Sequence, residues 1–244
     1  MQYFLWGEKM KKKKWNHGEK LIHVKSIEDL NKVREIDQDL YQTVILILDK
    51  DLNFNLKQFE PIDARNLNVI IRGNNHNLWN LYIRDGKKME VGLFSRTKDF
   101  QIFDIDNFTN FVLGESCVGA LVGSVNGNAI VSNVKADAWV NGESHCGGLF
   151  GTTKKITVSD SSVYSIVEGK DIVGGLVGMC DQVELHNTEV VPRFEKIEGK
   201  AVGTIAGYDS SKMEEKVNQM LVETLPYLEP KPTIEEEEIF GLRR

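Results

Sequence analysis

The sequence predicts an all-β fold, a parallel β-helix (β-solenoid) of about six coils with a short α-helical cap at each end. Three observations predict it. First, a glycine motif recurs at a near-constant period: VGLFS ends at Ser95, VGALVG at Gly123, CGGLFG at Gly151, VGGLVG at Gly178 and VGTIAG at Gly207, with spacings of 28, 28, 27 and 29 residues. Self-similarity of that period marks stacked repeats. Second, coils laid over one another from the motif ends give columns of like residues: Ile102, Ile130, Val158 and Leu185; Asp104, Ser132, Asp160 and Asn187; Phe111, Trp139 and Ile166. Third, the chain between motifs alternates or runs apolar at strand length, as at Val44 to Leu48 and at Leu52, Phe54 and Leu56.

Taken in order, residues 1–20 form a basic arm with six lysines against two glutamates, and Trp6 and Trp15 bracket the lysine run. Residues 21–40 form a capping region. In it Ser26 and Asp29 make a capping-box-like pair, and Ile27, Leu30, Val33 and Ile36 keep helical spacing. The apolar stripe of that helix fits the open end of the stack, where strand edges are unpaired. Residues 41–208 carry the β-helix. Its glycines are expected to supply positive φ at turns and to let neighbouring coils approach without a Cβ. A leucine-rich repeat has a similar length, but its LxxLxLxxN framework does not recur. Residues 209–228 hold a second helix, capped by Ser210 and Ser211, with Met213, Val217, Met220 and Leu221 on one face. An acidic tail, 229–244, follows Pro226 and includes Glu235, Glu236, Glu237, Glu238 and Phe240.

At the glycine motifs the chain resembles the GLUG-motif repeat family, over about Leu40 to Tyr208. Gly147–Gly148–Leu149–Phe150–Gly151 and Gly174–Gly175–Leu176–Val177–Gly178 match that core fully, and Gly119–Ala120–Leu121–Val122–Gly123 matches with one substitution. The resemblance implies a right-handed parallel β-helix. It also implies a place among modules of bacterial surface proteins, adhesins and large secreted peptidases, in which the repeats are not the catalytic part.

Composition narrows the function. A net charge of -6 argues against direct nucleic-acid binding, which needs a basic surface to release phosphate counterions, and favours protein or cationic partners. Three cysteines, Cys117, Cys146 and Cys180, form neither a disulfide framework nor a zinc spacing. No apolar run approaches the roughly 20 residues of a membrane span, and no export signal stands at Met1, so the expected compartment is the cytoplasm. The cell surface is the expectation for a fragment of a longer chain.

The candidate chemistry is sparse. Asp104 and Asp106, two apart on a strand, are the one carboxylate pair that could serve as glycosidase acid and base, yet the column places Asp104 in a polar ladder at a turn. Asp49, Asp51 and Asn53 have the spacing of a calcium loop without its glycine or distal glutamate. His145 beside Cys146 lacks a third, orienting group. No cofactor and no metal are expected. The expected function is therefore a non-enzymatic protein-binding β-helix, monomeric or weakly self-associating. A specific form is an intracellular, phage-type inhibitor that sets its acidic surface on a nucleic-acid enzyme of the host. Lys12, Lys13, Trp15, Glu235 to Glu238 and Phe240 are the interaction candidates. Binding or cleavage of a polysaccharide, or a structural module of an adhesin, is the other expectation.

Overall fold

The computed structural model describes residues 18–195 and 201–209, and there the protein is a parallel β-solenoid with very little helix. One interior column traces the winding. Ile22, Leu46, Ile71, Ile102, Val131, Val158 and Leu185 are each paired in register with the next. Seven stacked members mean seven coils, a stack about 29 Å deep at the usual spacing of neighbouring strands. The stack begins before Tyr41, because Glu19–Val24 is already a strand and pairs with Thr43–Leu48. These first coils carry no glycine motif. Phenylalanines thicken the middle of the interior, where Phe94 meets Phe100 at 5.9 Å and Phe100 meets Phe150 at 5.8 Å between ring centroids.

The N-terminal helix is short: Ile27–Asn31 is α-helical, and Lys32–Glu35 continues as a 3-10 turn. Ser26 caps it by accepting from the Asp29 N–H, while the Asp29 carboxylate reaches back to the Lys25 N–H at 3.0 Å. Leu30 and Val33 are buried. The segment is built into the first coil rather than laid over a strand edge. Arg34 donates to the carbonyls of Pro61 and Glu60, and Gln38 to that of Asp63, one coil further on. The second cap expected at 209–228, but for Asp209, and the acidic tail lie outside the described residues.

The coils turn without glycine's help. Among the described residues no glycine has positive φ; the left-handed positions belong to side-chain-bearing residues, chiefly Asn and Asp. Asp104, Asn133, Asp160 and Asn187 have φ of 57, 54, 50 and 47°. Asn and Asp tolerate that region because a short polar side chain can bond locally. Here they bond to one another across coils. Asn133 Nδ2 donates to Asp104 Oδ1, and Asn187 Nδ2 to Asp160 Oδ1, both at 2.8 Å.

The neighbour of Asp104 in this ladder is thus Asn133 and not Ser132, which pairs with Phe103 and Ser159. For the same reason Val131, not Ile130, stacks on Ile102. Phe94 pairs with Val122 and Phe100 with Ala129, so the later coil holds one more residue in the same stretch, at the Asn126–Gly127 turn.

What the glycines supply is closeness. A Cβ on Gly151 would lie 2.3 Å from the Cys117 carbonyl carbon and 2.4 Å from the Gly123 oxygen. One on Gly178 would lie 2.5 Å from the His145 carbonyl carbon and 2.7 Å from the Gly151 oxygen. The closing glycines Gly151, Gly178 and Gly207 therefore each rest on that of the preceding motif, backbone against backbone, and no side chain can move aside to make room.

Candidate interaction surface

Strand alternation decides which side chains leave the solenoid. In Asn128–Asn141, Ala136, Ala138 and Val140 are buried, which turns Lys135, Asp137, Trp139 and Asn141 outward. In Ser162–Glu168, Val163, Ser165 and Val167 are buried, which places Tyr164 and Ile166 on the outer side. Parallel register then stacks these side chains into two rows along the coil axis.

One row is Tyr82, Phe111, Trp139, Ile166 and Arg193, each paired with the next. The other is Thr109, Asp137, Tyr164 and Val191. The rings of Tyr82 and Phe111 stack at 5.7 Å, and Phe111 meets Trp139 edge to face at 5.0 Å. Trp139, Tyr164 and Val191 remain 43%, 46% and 44% exposed, a clustering of large apolar side chains that a monomer surface does not need.

Between the rows runs a trough of about 340 Å³ lined by Asp137, Trp139, Tyr164, Ile166, Val191 and Arg193 among others. Its charges are unequal. Arg193 is committed to Glu195 at 3.0 Å, and Glu189 accepts from the Tyr164 hydroxyl at 3.2 Å. The Glu189 carboxylate, with that hydrogen bond and the nearby Asp137, holds the Tyr164 phenol above its ordinary pKa. Beneath the rows, Asn110 donates to the Asp137 carbonyl, but its buried Oδ1 has no hydrogen-bond partner among the described residues.

The residues singled out in the sequence fall elsewhere. Asp104 is fixed in the corner ladder, and Asp106 is exposed and bridged to Lys135 at 3.3 Å. Asp51 accepts from the backbone and side-chain N–H groups of Asn77, which lower its pKa, and so serves as a link between coils. His145 shares its Nδ1 with the Ser144 hydroxyl at 2.9 Å, and burial lowers its pKa. Cys146 is buried and its thiol is pushed up to about 12, so the thiolate that a nucleophile needs is suppressed. Among the described residues no group of three His, Cys, Asp or Glu could hold a metal ion. Lys12, Lys13, Trp15, Glu235 to Glu238 and Phe240 lie outside the described residues. No helix among the described residues is long and apolar enough to cross a membrane.

No protein-family model matches the chain, and no solved structure matches it. Over 127 residues it is 32% identical to Halomucin of Haloquadratum walsbyi, a stretch amounting to 49% of this chain and 1% of that protein.

Proposed function

We propose that the protein is a non-enzymatic binding module that engages a protein partner through the aromatic face. The observation that carries this is the double row itself, in which Trp139, Tyr164 and Val191 stand exposed side by side. Exposed aromatics flanked by polar groups are the anchors typical of protein interfaces.

A narrower form of the proposal is a phage-type inhibitor that offers an acidic surface to a nucleic-acid enzyme, which the net charge of -6 supports. Cytoplasmic residence accords with it, since Cys117 and Cys146 form no disulfide, as a reducing compartment keeps thiols. Kinship with GLUG-motif repeats belongs to the same proposal, resting on the glycine cores.

Photo-crosslinking tests it. A benzophenone amino acid at Ile166, on the face, should trap a discrete protein band in cells, and one at Thr152, on another stretch of the coil, should not. Equal trapping from both positions, or none from Ile166, would overturn the proposal.

A further inference from the structure

We infer that the trough between the two rows receives a basic amphipathic α-helix of a partner protein, lying along the coil axis. This rests on the protein-binding reading and adds the form and charge of what binds.

The form follows from backbone bookkeeping. The strand Asn128–Asn141 is paired on one side with Phe94–Leu113 and on the other with Ser162–Glu168, which in turn pairs with Glu189–Glu195. Asn128–Asn141 and Ser162–Glu168 thus have partners on both sides, and an extended peptide laid across them along the coil axis would find no strand edge there and leave its own N–H and C=O groups unsatisfied. A helix satisfies them internally.

The dimensions agree. Successive members of a row stand about 4.8 Å apart, close to the ~5–6 Å between helix side chains three or four positions apart. From Phe111 to Arg193 is three such steps, which a helix spans in about ten residues.

The charge follows from the rim. Asp137 has no hydrogen bond or ion pair to its carboxylate among the described residues, and it stands next to the Trp139 indole in the adjacent row. Glu189 accepts from the Tyr164 hydroxyl, a partner that brings no positive charge, and Arg193 is already paired. What is left over is negative. A Lys or Arg on the flank of the helix would meet Asp137 while its stem crosses the indole of Trp139, a position that also suits a cation–π contact. Leu or Phe on the apolar face would enter the trough.

The probes are stapled Leu/Lys helical peptides of about 14 residues. Controls are the same peptide with Glu for Lys, and an unstapled Leu/Lys peptide broken by prolines. Fluorescence anisotropy with the full chain reads binding. The Lys helix should bind, the Glu helix and the broken peptide should not, and Trp139→Ala should weaken binding about tenfold. Asp137→Lys should reverse the preference to the Glu helix, an outcome that misfolding cannot produce. Unchanged far-UV circular dichroism and protection of Cys146 certify the fold of each variant. Equal binding of the Lys and Glu helices, full binding of the broken peptide, or an unreversed preference in Asp137→Lys would overturn the inference. If crosslinks from Ile166 persist while the Lys helix fails, the helix is wrong and the binding face stands; if both fail, the face falls too.

Discussion

Asn133→Ala should destabilise the protein by about 2 kcal/mol, the sum of two comparable contributions. Asn133 sits at φ 54°, and its Nδ2 donates to Asp104 Oδ1 at 2.8 Å. Left-handed backbone costs an ordinary L-residue about 1–2 kcal/mol; asparagine bears less of this, so the change to alanine adds about 1 kcal/mol. The hydrogen bond is exposed and reaches a carboxylate, so its net worth is about 1 kcal/mol. Asn133→Gly separates the two. Glycine loses the bond but meets no penalty at positive φ, and its greater freedom when unfolded costs a few tenths of a kcal/mol, so a loss of about 1–1.5 kcal/mol is expected. Urea unfolding followed by tryptophan fluorescence, with an unchanged m value, measures both. A glycine variant less stable than the alanine variant would refute the reasoning, because backbone strain would then have no part in the corner.

Four other outcomes follow from the packing and the titrating groups. Gly178→Ala, whose Cβ would lie 2.5 Å from backbone, should cost at least ~3 kcal/mol or prevent folding, while Gly18→Ala, with nothing within 4 Å, should change stability by less than about 0.5 kcal/mol. Trp139→Ala, losing one edge-to-face contact at the surface, should cost only about 1 kcal/mol and leave a folded protein for binding assays. Thiol alkylation at about pH 8 should leave Cys146 unmodified until the protein unfolds, its pKa being raised to about 12 by burial. Burial also lowers the His145 pKa below 6.5, so the unfolded chain takes that proton first; the contribution of His145 is complete above pH 6.5 and is lost as pH falls below it. Urea midpoints measured either side of that pH should therefore drop less in His145→Asn than in the native protein.

Much of the fold was legible because glycines that cannot accept a Cβ must recur, and their period is the coil. The same reasoning missed the slip between Ser132 and Asn133, since counting from a motif end cannot see one residue added in a turn. It assigned the turns to glycine, although a left-handed corner can equally be held by an asparagine whose amide bonds the next coil. The first coil, Glu19–Val24, escaped notice because Ile22 is linked to Leu46 by register alone, with no motif beside it. The Phe111, Trp139 and Ile166 column was visible, but which way it faces was not drawn from it. The signal was present in the parity of ADAWVN: Trp139 shares its side of the strand with Asp137 and Asn141, whereas Ala138 and Val140 take the interior.

The extra residue at Asn126–Gly127 has a wider meaning. Coils on either side keep their columns although one stretch is longer, so the corner works as an expansion joint: length entering there is absorbed before it reaches the next flat run. Each flat run can therefore be rewritten separately from the others. A face such as the one around Trp139 can acquire or lose its rows while the glycine stack opposite goes on setting the pitch, and a reporter loop spliced into that corner should leave both untouched.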